Sequence, residues 1–326
     1  MAVTGTRTTA TGPGRTPDGA PGPGAAEAEA EIRLPRRRNG TQPQHLLLTL
    51  LGDYWYGLHD HLPSAALVAL LGEFGISPAA ARAALNRLAR RGVLESSKTG
   101  RRTGYGVTRR APVEVRIGHA ARSAVLFGDA SPPWDGQWRV VAFSMPEDRR
   151  NVRRAVRARL RWLGFAPLFD GLWVSPHERE EEAGRYLAEL GIGSYSVMTA
   201  RIPPGVPQGT VPSDAWDLEG IRARYEEFVG EWEPLLDRTR EGTVGTAEAL
   251  LSRTELMYDW MTFLGVDPML PEELLPSDWP RRRAHAVFAE LYDSLGPLAE
   301  TRVRQIVGRF APDLAALVRH HTHRGP

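Results

Sequence analysis

Ser77-Pro78-Ala79-Ala80-Ala81-Arg82-Ala83-Ala84-Leu85-Asn86-Arg87-Leu88-Ala89-Arg90-Arg91-Gly92, followed by Val93-Leu94-Glu95-Ser96-Ser97-Lys98-Thr99-Gly100-Arg101-Arg102-Thr103-Gly104-Tyr105-Gly106-Val107-Thr108, is the stretch that decides the fold. Serine at an N-cap accepts a bond from the first turn. Proline just inside the helix has no N–H to leave unsatisfied, so Ser77-Pro78 starts a helix. It is expected to run to about Arg91 and Gly92, with Ala80, Ala84 and Leu88 on one face and Arg82, Asn86, Arg87 and Arg90 largely on the others. Beyond Gly92 the period changes. Residues 93–97 and 103–108 read as two strands around Lys98-Thr99-Gly100-Arg101-Arg102.

Working backward, Gly72-Glu73-Phe74-Gly75-Ile76 is a short turn. Ser64 caps a preceding helix whose apolar residues are Leu67, Val68, Leu70 and Leu71. Leu46, Leu47, Leu50 and Leu51 recur at helical spacing and mark a first helix from about Pro43 to Gly52. Helix, turn, helix and a hairpin with a basic tip outline a winged helix-turn-helix over 43–112, the small alanines letting the last helix pack closely.

Charge supports that outline. Between Ser77 and Arg110 stand nine basic residues and one acidic residue, Glu95, a local net charge of +8 in a chain whose total is +2. Such a footprint suits a polyanion, and charge alone does not distinguish DNA from RNA or acidic lipid. In a helix-turn-helix the exposed side chains of the second helix enter the major groove, where Arg bonds guanine and Asn pairs with adenine. Arg82, Asn86, Arg87 and Arg90 are therefore candidate DNA contacts. Lys98, Arg101 and Arg102 at the wing suit phosphate or the minor groove. The alternative for each is an ordinary solvated face, and for Arg87 a brace on the turn.

Residues 1–42 are rich in Pro and Gly with little to bury and read as a disordered arm. Its Arg36-Arg37-Arg38 run either touches phosphate or only solvates the arm. A linker with Pro112, Ser131, Pro132 and Pro133 leads to a second unit within 113–203. There Trp138–Ser144 reads as a strand, Asp148–Leu163 as a helix burying Val152, Val156, Leu160 and Leu163, and Phe165–Phe169 with Leu172–Val174 as a hairpin around Asp170-Gly171. Glu178–Leu190 reads as a helix and Tyr195–Ile202 as a strand. The order β-α-β-β-α-β is that of a ferredoxin-like sandwich. After a linker from Pro203 to Pro212, the chain over 213–326 is helical, near 217–240, 244–265, 280–295 and 297–320. The fold class is α+β.

Chemistry is sparse. The chain has no cysteine, which excludes disulfides, thiolate catalysis and Cys-ligated zinc. No apolar run is long enough for a membrane span and the N-terminus lacks a signal-peptide core, so a cytoplasmic protein without membrane partners is expected. His320, His321 and His323 invite a metal reading, but a frayed polar end is the expectation. His59 and His61 read as surface or packing residues. No nucleophile elbow, phosphate-cradling loop or paired acid and base is visible, so no enzyme, metal or cofactor is expected. The helix from Asp148 carries Arg149, Arg150, Arg153, Arg154, Arg157, Arg159 and Arg161. These form either a second polyanion site or internal pairs with Glu178, Glu180, Glu181 and Glu182, the reading favoured here.

Several stretches resemble PaaX-type repressors: His45-Leu46-Leu47-Leu48-Thr49-Leu50-Leu51-Gly52-Asp53-Tyr54, Ala83-Ala84-Leu85-Asn86-Arg87-Leu88 and Gly100-Arg101-Arg102 in the first unit. Trp138-Arg139-Val140-Val141-Ala142-Phe143 and Gly171-Leu172-Trp173-Val174-Ser175-Pro176 do so in the second, and Asp267-Pro268 with Leu274-Leu275-Pro276-Ser277-Asp278-Trp279-Pro280 in the third. The resemblance implies a homodimeric repressor of aromatic, typically phenylacetate, catabolism that binds a double-stranded DNA operator and is released by an aryl-CoA effector. No motif transfers the effector contacts. Trp173, Arg224, Tyr225 and Tyr258 are candidates because they lie near expected domain junctions, where pockets form; ordinary packing is the alternative for each. The second unit also resembles small CRISPR-associated nucleases, which place a metal-binding Asp at the end of the first strand. Here that stretch is Phe143-Ser144-Met145-Pro146, without a carboxylate. A metal-dependent nuclease is the alternative reading.

Overall fold

The structure is a computed structural model that describes residues 42–55, 57–100, 102–108, 133–145, 149–201, 212–263 and 266–323. The expected arm to residue 41 with Arg36–Arg38, the wing-tip Arg101, the linker residues Pro112, Ser131 and Pro132, the linker 203–211, and Pro146 and Asp148 lie outside the described residues.

The N-terminal part contains α1 (Pro43–Tyr54), β1 (Leu62–Pro63), α2 (Ser64–Glu73), α3 (Pro78–Arg90), β2 (Leu94–Thr99) and β3 (Arg102–Val107). The Ser77 side chain accepts from the Ala80 N–H at 3.3 Å, so the expected cap on α3 is in place. The buried face of α3 is Ala81, Ala84, Leu85 and Leu88, with Ala80 only half-buried, because Leu85 and Leu88 set the stripe that faces α1 and α2. Ser64 is the first helical residue of α2 rather than its cap, and Pro63 precedes it with no side-chain bond. β1 was not foreseen, since two residues carry no alternation. It pairs with β3 in a sheet of order β1-β3-β2, and Pro63 is tolerated on that edge because it has no ladder bond to lose.

The middle part runs β4 (Trp138–Phe143), α4 (Arg150–Trp162), β5 (Ala166–Phe169), β6 (Leu172–Ser175), α5 (Glu180–Glu189) and β7 (Tyr195–Ala200). Its sheet has the order β5-β6-β4-β7 with every neighbour antiparallel, the ferredoxin-like arrangement expected from the sequence. Val141 and Trp173 pack with Val156, Leu160, Ala183 and Leu187 on the helix side. Trp138, Val140 and Val174 on the other face pack with Trp134, Trp216 and Leu274. Gly171 is required at the β5–β6 turn: its φ is +79°, and a Cβ there would lie 2.6 Å from the Phe143 carbonyl oxygen.

The C-terminal part is α6 (Leu218–Arg240), α7 (Thr246–Thr262), α8 (Arg281–Gly308) and α9 (Pro312–Ala315). The break expected near Pro297 does not occur, and α8 runs through that proline. Proline inside a helix forfeits one backbone bond and costs about 3 kcal/mol. Burial of Leu295, Ala299, Val303 and Ile306 around it offsets that cost. The histidine tail, expected to fray, is instead pinned. His320 bonds Glu300 through its N–H and its ring Nδ1 at 2.9 and 2.6 Å, and His323 bonds Asp293 in the same way at 2.7 Å each. Gly296 leaves the space that the His320 ring occupies.

The sequence reads as separate units over 43–112 and 213–326. One apolar cluster instead runs from Leu46, Leu50 and Leu71 through Leu85 and Tyr105 to Trp232, Trp260, Phe288 and Val307. The leucine stripe of α1 thus has a second partner surface in the C-terminal helices.

Candidate nucleic-acid interface

With Ala81, Ala84, Leu85 and Leu88 turned inward, the 3.6-residue period leaves Arg82, Asn86, Arg87 and Arg90 on the outer face of α3, all exposed. Among the described residues no carboxylate pairs with, and no group accepts a bond from, the side chains of Arg82, Arg87 and Arg90. Asn86, Arg87 and Arg90 line one side of a groove of about 680 Å³ whose other side is Ser96 and Tyr105 of the wing. Strand alternation carries this wall onward to Lys98, two residues from Ser96 on the same face of β2. Arg102 is exposed but falls on the opposite face of the ribbon from Tyr105. The strands pair as far as Thr99 with Arg102, so Lys98 and Arg102 are strand residues rather than loop residues as expected.

Tyr105 was missed by sequence reasoning. Its hydroxyl donates to Asn86 Oδ1 at 3.1 Å, which holds the amide in one orientation and leaves its NH2 group as the donor to offer. Glycines on both sides of Tyr105 were the available signal. A Cβ at Gly106 would stand 2.6 Å from the His61 ring, so alternate glycines let β1 and His61 close on one face while Tyr105 faces α3. His61 is a packing residue, with Nδ1 2.8 Å from Ser97 Oγ and Nε2 3.5 Å from Glu95.

The module is fastened to the C-terminal helices by more than apolar contact. Glu73 of α2 receives a forked pair from Arg302 of α8 at 2.8 to 3.0 Å. Asp53 of α1 accepts from the Tyr292 hydroxyl at 3.1 Å and faces Arg253 Nη1 at 3.7 Å. Arg253 is fully buried, donates to the Tyr292 and His321 carbonyls at 3.0 and 2.6 Å, and lies 3.7 Å over the Tyr292 ring. Burial pushes the Tyr54 phenol beside it up to about 12.

A second polar knot ties the middle part to the same body. Asp267 accepts from Tyr225 at 2.5 Å and from Arg281 at 2.8 and 2.9 Å. The His177 ring, after β6, bonds the neighbouring Pro268 carbonyl at 2.7 Å, and burial holds its basicity below that of an ordinary imidazole.

The four effector candidates do not gather. Trp173 is a core residue of the middle part and Tyr225 of the helical part, 2% and 1% exposed. Arg224 is exposed and Tyr258 half-buried. At the nuclease position, the described residues Phe143, Ser144 and Met145 bring no carboxylate to the end of β4, and among the described residues no group of three His, Asp or Glu side chains is placed to hold a metal. No described helix is long and apolar enough to cross a membrane.

Three family models match the chain in order. They are described as PaaX-like protein over residues 42–111, PaaX protein central Cas2-like domain over 131–208 and PaaX-like protein C-terminal domain over 216–305. The transcriptional repressor PaaX of Escherichia coli K12 is 28% identical over 254 residues, 76% of each chain. Among solved structures, the uncharacterized protein Rv0674 from Mycobacterium tuberculosis superposes with a TM-score of 0.53 at 21% identity, covering 82% of this chain and 98% of that one, a likeness of fold.

Proposed function

The chain belongs to the PaaX family of transcriptional repressors, and from that premise we propose that it is a cytoplasmic, sequence-specific DNA-binding repressor of aromatic, phenylacetate-type catabolic genes. The observation that carries the proposal is the outer face of α3. Four long polar side chains stand exposed there, free of internal carboxylates among the described residues, beside a groove closed by the wing. Arginines that cost conformational entropy and pair with nothing internal, as Arg82, Arg87 and Arg90 do among the described residues, suit an external anion, and a helix with a neighbouring thin hairpin suits a major groove and its rim. Arg82, Asn86, Arg87 and Arg90 read or border the bases, and Lys98, Arg101 and Arg102 contact the backbone. The chain acts as a homodimer on two half-sites.

Release is assigned to an aryl-CoA thioester such as phenylacetyl-CoA, which must bind the DNA-incompetent state more tightly to shift the population. Because α1 and α2 share a core with α6–α8, a ligand that shifts those helices shifts the module with them. A gel shift with the protein's own upstream region, with and without phenylacetyl-CoA, tests both halves. Retardation that the thioester reverses is expected. Equal affinity for that region and for random duplex refutes sequence-specific repression, and retardation indifferent to the thioester refutes the effector.

A further inference from the structure

We propose that the outward arginine stripe of α4, formed by Arg150, Arg154, Arg157 and Arg161, is a second phosphate-binding surface that grips the backbone of the same duplex at a distance from α3. This rests on the DNA-binding reading above.

The seven arginines at 149–161 divide into two sets. Those turned toward the domain are used internally. Arg149 donates to the Leu190 and Gly191 carbonyls, Arg153 to the Met145 carbonyl at 2.8 Å, and Arg159 to Glu182 at 2.6 Å while covering the Trp162 ring. That set fulfils the expectation of internal pairing in part, since only Glu182 of the four glutamates is engaged by this helix. The other set sits at i, i+4, i+7 and i+11, which the 3.6-residue turn aligns into one line. Arg150, Arg154 and Arg161 are exposed and form no ion pair with any described residue, although the Arg161 guanidinium also lies 5.6 Å from the centre of the Trp173 ring. Arg157 meets Asp170 at 3.2 Å, an exposed pair that solvent screens.

α4 contains no acidic residue at all. Like charges at i+3 and i+4 repel, a cost that among the described residues only the screened Asp170 beside Arg157 offsets. An external anion relieves it. The line is about 16 Å long at 1.5 Å per residue, whereas one strand of duplex presents a phosphate roughly every 3.4 Å of its axis. Small-molecule sites are concave and converge several groups on one point. A straight row of guanidinium groups on a convex helix instead matches a row of phosphates, and Arg is the side chain that takes phosphate in forked geometry.

The test uses the full chain, with anisotropy titrations across salt on random-sequence duplexes of roughly 60 and roughly 20 base pairs, the shorter little longer than one module's footprint. The variants are R150Q/R154Q/R161Q, the matching Arg→Lys set, and R82Q/R87Q/R90Q on α3. The glutamine set on α4 should bind the long duplex about tenfold to a hundredfold more weakly and flatten its log–log salt slope by up to about 2.7, at roughly 0.9 per lost phosphate contact. It should leave the short duplex nearly unchanged, and the lysine set should restore the affinity. If the slope on the long duplex is unchanged while the α3 variant loses binding, the stripe proposal falls and the DNA-binding reading stands. If the wild type binds neither duplex, both fall. If inorganic tripolyphosphate binds the wild type and not the α4 glutamine set, while duplex affinity is the same for both, the stripe belongs to a small phosphorylated ligand and the proposal is overturned.

Discussion

Replacing Arg253 by methionine removes a fully buried guanidinium while keeping most of its apolar stem. Asp53, 4% exposed, then keeps the Tyr292 hydroxyl at 3.1 Å but loses the positive charge 3.7 Å from its other oxygen. At that separation and an effective dielectric of about 20 the lost attraction is about 4.5 kcal/mol. This agrees with the roughly 3–5 kcal/mol that breaking one side of a buried pair costs. The Tyr292 and His321 carbonyls lose their donor in the same step. Urea unfolding followed by tryptophan fluorescence reads the effect directly, because Trp55, Trp232 and Trp260 lie in the shared core. Asp53→Leu alone should be comparably harmful, and Asp53→Leu/Arg253→Met together should recover at least half of the summed loss, since no unpaired charge is then left inside. A loss below about 1 kcal/mol for Arg253→Met, no more than an ordinary neutral hydrogen bond, would refute the reasoning, as would strict additivity of the pair.

Tyr105→Phe should leave the fold intact yet lose part of the roughly 1–3 kcal/mol of base discrimination an asparagine can supply, because Asn86 is no longer oriented; a competition assay with single-base operator variants checks it. Arg82→Ala should relax preference at one base position, whereas Lys98→Ala should lower affinity evenly across sequences and reduce the salt slope by about 0.9. His177 titrates below its ordinary value, so its contribution to stability is complete above pH ~6.5 and is lost as pH falls through the depressed value; His177→Gln should blunt that acid sensitivity in melting curves. Tyr54 titrates at about 12, above its ordinary value, so stability is complete below pH ~10 and declines from there toward about 12; Tyr54→Phe should flatten that limb in an alkaline unfolding series. Gly171→Ala should cost more than about 1 kcal/mol, because φ is positive and the Phe143 carbonyl occupies the space of the new methyl group; differential scanning calorimetry reads it.

Elements whose code is local were legible in the sequence. Ser77-Pro78 announced α3, the run Val140, Val141 and Phe143 marked β4, and Asp170-Gly171 marked the β5–β6 turn. What escaped depends on partners distant in the chain. β1 exists only because β3 offers it an edge. Pro297 reads as a stop until the packing around Leu295 and Ala299 is known. The histidines at 320 and 323 read as a loose end because Glu300 and Asp293 lie a full helix away. In the interface, exposure of the α3 arginines followed from periodicity. The orienting bond from Tyr105 required the wing to fold back on α3, which no spacing encodes.

The continuity of the core from α1 to α8 bears on how such proteins can be recombined. A chimera that grafts only the first hundred or so residues onto a foreign regulator would present Tyr54 to water and strand Asp53 without its counter-ion. On the proposed DNA-binding reading, altering which operator is recognised is a matter of exchanging outward side chains on α3. Transplanting the head whole would require its helical seat to travel with it.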